Sequence, residues 1–375
     1  MTRRETYLDW NATAPLRPEV AVAIAAALAR CGNPSSVHRW GQAARQSVER
    51  ARAAVAALID ARPEGIVFVS GGTEANHLAL LGAGRERVLV SAVEHSSVLQ
   101  AVPAAERIAV DADGIVDLGR LETQLATDPL PAIVSVMLAN NETGIIQPVA
   151  DIARVARAHG AQFHCDAVQA AGKIPLAASR IGADLLSLSA HKLGGPPGIG
   201  ALVVAGDTEV VALIRGGGQE SGRRAGSENL PGIAGFAAAA EAAAAAIADN
   251  GRVRQLRDRL EAAALAAVPD AVVIGAEVPR LPNTTALALP GISAETQVIA
   301  LDLAGVMVSA GAACSSGKVG PSHVLAAMGV APEVAAGTIR VSLGWTTTEA
   351  DVAHFLDAWT ALARRLSPRN SARAA

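Results

Sequence analysis

Apolar positions in the first half of the chain fall into two patterns that take turns. Unbroken runs of strand length are followed by stretches in which apolar residues recur every third or fourth position. Ile66-Val67-Phe68-Val69 is one such run, and the junction Gly71-Gly72-Thr73-Glu74 predicts a turn into a helix reaching about Leu81. Further strands are expected at 87–91, 107–110, 132–138, 162–165, from Leu185, and at 199–204. Helical spacing marks Val20, Ile24 and Leu28, then 42–58 and 148–159, with another helix opening at Glu94-His95-Ser96-Ser97. This repeated alternation predicts a mainly parallel sheet with helices on both faces.

The rhythm changes beyond an alanine-rich helix expected over 231–267 and broken near Asn250-Gly251. Strands follow at 271–274, 285–289 and 338–343, an extended stretch at Val306-Met307-Val308, and helices at 294–303 and 348–366. The long helix reads as a connector. It divides the chain into a large domain, 12–250, and a smaller α/β domain formed by 1–11 with 251–375.

Composition narrows the classes. With 375 residues and 51% of them hydrophobic, the chain can bury a substantial core. A net charge of -3 gives no reason to expect a nucleic acid or an anionic membrane as partner. The apolar run 236–247 is interrupted by Glu241 and is too short to span a bilayer. The start, Met1-Thr2-Arg3-Arg4-Glu5, has no apolar stretch, so no secretory signal is expected. Cys31, Cys165 and Cys314 are odd in number and far apart, which suits a reducing cytoplasm rather than a disulfide framework. Cys165 in a strand and Cys31 at a helix end read as buried packing residues. Cys314 lies among Gly311, Ser315, Ser316 and Gly317, and an odd count leaves room for one reactive thiol.

Candidate chemistry collects at strand ends. The apolar run from Leu185 ends in Ser189-Ala190-His191-Lys192 and a Gly/Pro loop. A lysine there is costly to bury unless it is paired or neutralised, and a partly neutralised lysine is what imine chemistry requires. The Gly71-Gly72-Thr73 junction gathers free N–H groups, the positive end of a helix and a hydroxyl, which suits a phosphate. Asn141 follows another strand, and Asp166 and Gln169 a third. In a parallel sheet these ends share one edge, where open α/β folds bind ligands. The set matches pyridoxal phosphate: Lys192 for the imine, Asp166 for the pyridine nitrogen, and hydroxyls with backbone N–H groups for the phosphate. His95, at its own strand-to-helix junction, is placed to stack on a ring. The loop 216–229 is glycine-rich and charged, and suits contact with a ligand or a partner.

The blocks 68–76, 140–144, 164–169 and 189–192 resemble those of class V aminotransferases, and more narrowly those of cysteine desulfurases. Gly32-Asn33-Pro34-Ser35-Ser36, Ala313-Cys314-Ser315-Ser316-Gly317 and Pro321-Ser322-His323-Val324-Leu325 belong to the same ordered pattern. The resemblance implies a fold type I, pyridoxal-phosphate-dependent architecture, its large domain built on a seven-stranded, mainly parallel sheet between helices. It implies that Lys192 carries the cofactor and moves the Cα proton, that Asp166 pairs with the ring nitrogen, that Gln169 contacts the ring hydroxyl and that His95 stacks. Gly72, Thr73, Ser189 and His191 would hold the phosphate, with Ser227 reaching over from the other subunit of a homodimer. Arg340 and Asn141 would bind the substrate carboxylate. Cys314 would take sulfur from L-cysteine as a persulfide, leaving L-alanine, and pass it to an acceptor protein for iron–sulfur clusters or thiolation. Nothing in the set asks for a metal. Selenocysteine lyase or small-substrate aminotransferase activity is the alternative within the same family. Departures from the pattern are Ser227 in place of a common Thr, and Ala310 and Ala312 in place of serines.

Overall fold

A computed structural model describes residues 4–311 and 321–366. Its first strands are β1 (Thr6–Tyr7), β2 (Ile66–Val69), β3 (Arg87–Ser91), β4 (Glu106–Ile108), β5 (Ala132–Ser135), β6 (Gln162–Asp166), β7 (Leu185–Ser189) and β8 (Gly200–Val204). Then come β9 (Val272–Val273), β10 (Thr284–Ala288), β11 (Val306–Met307), β12 (Ser309–Ala310) and β13 (Thr338–Ser342).

Seven strands form the main sheet in the order β2-β8-β7-β6-β5-β3-β4. The pairs β3–β4, β3–β5, β5–β6 and β6–β7 are parallel, whereas β8 runs antiparallel to both β7 and β2. Since β8 reverses direction twice over, β2 points the same way as β7. The expected mainly parallel, helix-covered sheet is therefore present. Its strands are apolar on both faces, as burial on both sides demands: Val134, Phe163, Leu186, Leu188 and Ala201 pack on one, and Ile133, Leu185, Leu202 and Val204 on the other. A second sheet, β12-β13-β10-β9, is antiparallel, and β1 pairs with β11 in a two-stranded ribbon.

The Arg39–Leu58 helix buries Gly41, Ala44, Val48, Ala51 and Val55, a stripe at helical spacing, and His38 caps it by accepting from Gly41 N at 3.3 Å. With the Pro18–Leu28 helix it packs on the Leu230–Ala246 helix. The alanine-rich connector does break where expected, through a short turn at Ile247–Asp249 before Asn250–Ala267. By length and hydropathy Leu230–Ala267 could span a bilayer, but Ile233, Phe236, Ala239, Ala240 and Ala243 on it lie inside the main core.

Some expectations shift. The helix opening at Glu94 covers only Ser96–Leu99. The strand expected over 132–138 ends at Ser135, although Val136 N and Leu138 N still bond to His164 O and Asp166 O at 3.1 and 2.9 Å. Cys165 is buried as expected, but Cys31 is exposed. The helix stops at Leu28, so Cys31 falls on the rim of a groove between three helices instead of in a core.

Candidate active site

With β2, β3, β5, β6 and β7 running the same way, their carboxyl ends deliver the polar residues to one edge. They line a cavity of about 330 Å³ together with the second sheet's Arg340 and the N-terminal segment's Asn11 and Ala12. Gly72, Thr73, His95, Asn141, Asp166, Gln169, Ser189, His191, Lys192 and Arg340 all contribute to its wall. Ser227 does not: it lines a separate cleft beside Phe68 and Ser70. Cys314 lies outside the described residues.

The Gly72–Gly82 helix starts directly after the β2 turn, with its first turn at the cavity. Close packing brings it there. A Cβ on Gly200, at the start of the adjoining β8, would lie 2.6 Å from Leu188 O and 2.7 Å from Gly71, so only glycine lets the turn cross the strand. Glu74 holds the turn by accepting from Ser70 N at 2.7 Å, and Arg224 Nε donates to Glu74 at 2.9 Å. Burial raises the Glu74 carboxyl, but those bonds outweigh it and leave the group below its ordinary 4.5.

Lys192 Nζ donates to Asn11 O at 2.6 Å and Ala12 O at 2.7 Å. Asp166, buried at the end of β6, accepts from Asn76 Nδ2 at 2.8 Å and Val168 N at 2.9 Å. Arg340 Nη1 donates to Asn141 O at 3.1 Å and Nη2 to Asp9 at 2.7 Å. His95 accepts from Ser97 N at 3.1 Å, so the ring is fixed at the mouth of its short helix. Burial pushes His95 below its ordinary 6.5, with the Lys192 and His323 charges adding to the effect and Asp166 opposing it. His191 is pushed down to about 4 by burial and by Lys192 and Lys173. Both imidazoles are thus neutral at pH 7. Behind His95, burial and the Asp166 charge drive the Glu94 carboxyl well up, and its Oε1 accepts from Met137 N at 2.6 Å.

Two polar atoms in the wall are buried without a partner among the described residues: Asn76 Oδ1 and Arg340 Nε. Such atoms carry a desolvation cost that a polar ligand would remove. Together with a helix N-terminus, three hydroxyls, a carboxylate and a lysine, they fit a phosphorylated, nitrogenous ring bearing a carbonyl. Sequence reasoning passed over Asn11, Ala12, Asn76, Ser97 and Met137 as parts of this wall. Asn76 stands inside the 68–76 block and Ser97 inside the helix opening at Glu94, but nothing in their spacing marked them as cavity residues.

Sheet topology and a lysine-bearing cavity at the carboxyl edge define an α/β enzyme of the NifS-like kind. A solved NifS-like protein from Rickettsia africae superposes with a TM-score of 0.89 at 34% identity, covering 96% of this chain and 100% of that one. A family model for aminotransferase class-V matches residues 6–355, and the chain belongs to that family. Among similar proteins, a cysteine desulfurase from Cereibacter sphaeroides is 46% identical over 94% of both chains. The cysteine desulfurase IscS of Dictyoglomus turgidum is 40% identical over 95% of this chain and 93% of its own.

Proposed function

We propose that this protein is a pyridoxal-phosphate-dependent cysteine desulfurase. It would convert L-cysteine and the Cys314 thiol into L-alanine and a Cys314 persulfide, so that one sulfur atom changes place and nothing else is consumed. The observation that carries this reading is the meeting of Lys192, Asp166 and the Gly72–Gly82 helix start in one cavity, in a chain similar to cysteine desulfurases along nearly its whole length.

When bound, the cofactor supplies an electron sink that loosens the bonds at the substrate Cα. This chain's own residues do the rest. Lys192 Nζ holds the cofactor and afterwards takes and returns the Cα proton. Asp166 would keep the ring nitrogen protonated, and Gln169 would donate to the ring oxygen. His95, neutral at pH 7, would face the ring without adding a competing cation. The amides of Gly72 and Thr73 with the Thr73 and Ser189 hydroxyls and His191 hold the phosphate. Arg340, whose buried Nε has no partner among the described residues, receives the substrate carboxylate beside Asn141. Cys314 attacks the substrate sulfur, the logic of thiol exchange setting the need for a thiolate. Cys165 cannot substitute, since burial raises its thiol well above 9.0.

A homodimer belongs to the reading, with Ser227 of each subunit serving the other's phosphate site. Its support is the apolar groove between the Pro18–Leu28, Arg39–Leu58 and Leu230–Ala246 helices, flanked by Val22, Leu28 and Trp40 at 70%, 68% and 64% exposure. The division into a large domain, 12–250, and a small one is supported by separate apolar clusters around the two main sheets. A sulfur-acceptor protein and a cytoplasmic location complete the reading.

The test compares wild type with Cys314→Ala. Both should carry the cofactor's visible band, and only wild type should release sulfide from L-cysteine in the presence of dithiothreitol. Sulfide release by the variant would exclude the assignment.

A further inference from the structure

Behind the wall that carries Lys192 lies a second lysine that the chemistry above does not use. Lys173 follows Gln169 by four residues in a helical turn after β6, where Lys173 N and Ile174 N both bond to Ala170 O at 3.0 and 3.1 Å. Its side chain does not line the main cavity, but with Lys192 it borders a small adjoining one. Lys173 Nζ donates to Gln169 Oε1 at 2.6 Å and to Asn11 Oδ1 at 2.7 Å. Among the described residues no carboxylate lies within ion-pair reach of it. The charged groups around it are Lys192 on the loop after β7, Arg340 on β13, held by Asp9, and Arg17 across the small cavity. Burial, reinforced by Lys192 and Arg340, holds its amine well below 10.5.

A lysine enclosed without a carboxylate is disfavoured as an ammonium, but charged or neutral its Nζ–H groups donate to the two amide oxygens they meet. Here it fixes an amide. Gln169 Nε2 donates to Asn11 O at 2.9 Å, an oxygen that can only accept, while Gln169 Oε1 is tied to Lys173. Both contacts force the same orientation, leaving the second Nε2–H as the group Gln169 can offer the cavity. Asn11 O also takes the Lys192 bond, so the two lysines and the glutamine meet on one residue.

We propose that Lys173 is a positioning residue that locks Gln169 with its NH₂ toward the ring oxygen of the cofactor, and thereby sets the proton affinity of the lysine-bound cofactor. The inference rests on the pyridoxal phosphate reading. A donor on the ring oxygen withdraws electron density, so losing it makes the cofactor–lysine nitrogen hold its proton more tightly.

The test is a spectrophotometric pH titration of the visible band in the holoenzyme. Lys173→Met should raise its midpoint by about one pH unit, a roughly tenfold change in the equilibrium. Gln169→Met should raise it similarly, and the double variant should shift no further than Gln169→Met alone. Lys173→Gln, which keeps a donor without the charge and guards against a misfolded methionine variant, should stay near the wild-type midpoint. An unchanged midpoint in a folded Lys173→Met protein would overturn the proposal. So would a shift that adds in full to that of Gln169→Met, since Lys173 would then act by charge alone. Absence of any visible band in wild type would instead count against the cofactor reading itself.

Discussion

Glu220 stands in for a neighbouring strand beside Arg52 at the free edge of the main sheet. Arg52 Nη1 donates to Glu220 Oε2 at 2.8 Å and Nη2 to Oε1 at 3.1 Å, while Glu220 accepts from Phe68 N at 2.9 Å and Arg52 Nη1 reaches Ile66 O at 2.5 Å. One open N–H and one open C=O of β2 are thereby satisfied by one buried ion pair, which blunts an edge that could template another strand. The pair also anchors the loop carrying Ser227, at the cost of positive φ at Glu220 and Ser221.

Removing one partner leaves the other charge buried. Glu220→Ala is expected to destabilise the fold by about 3–5 kcal/mol. Urea denaturation checks this through the midpoint. A midpoint within error of wild type would mean that the edge does not depend on the pair.

His164 sits wholly inside the sheet, its ring nitrogens 2.8 Å from Ser135 Oγ and 2.9 Å from Ser187 Oγ. Burial holds it down to about 4, against a pull upward from Asp166. A histidine whose folded pKa is depressed binds its proton more readily when unfolded. Its stabilising contribution is therefore present above about pH 6.5 and is lost as pH falls toward 4. The full contribution is about 3 kcal/mol, since one pKa unit corresponds to roughly 1.4 kcal/mol. Denaturation measured between pH 4.5 and 7 should rise less steeply in a His164→Gln variant than in wild type. Equal slopes would contradict this.

Arg340 can be tested by keeping its charge and removing its fork. Arg340→Lys is expected to raise KM for L-cysteine about 10- to 100-fold, the worth of one or two charge-assisted hydrogen bonds. The cofactor band should be unchanged. A normal KM would place the substrate carboxylate elsewhere.

Lys192 has two assigned tasks, and Lys192→Ala should remove both. The visible band that marks lysine-bound cofactor should vanish, and alanine formation should fall by about 10²–10⁴ even when cofactor is added freely. Full activity in this variant, read from alanine production, would assign the proton transfer to another group.

Much of this site was legible because its residues sit where the pattern changes type. Lys192, Asp166, Asn141 and Thr73 each stand where an apolar run stops, and a parallel sheet brings such ends to one edge. Asn11 and Lys173 were not legible, for a different reason. Lys173 contacts Asn11, 162 positions away, and Asn283 contacts the same amide from 272 positions away. Neither partner is implied by local spacing. The exposure of Cys31 was missed because a cysteine after an alanine-rich helix looks the same in sequence whether the helix end faces a core or a groove.

Desulfuration moves sulfur from a free amino acid to one thiol. Holoenzyme mixed with L-cysteine, without reductant, is digested and its Cys314 peptide weighed by mass spectrometry while free alanine is counted. One added sulfur on Cys314 and an equal amount of alanine are expected. Alanine without modified Cys314, or the added sulfur on Cys31 or Cys165 instead, would contradict this.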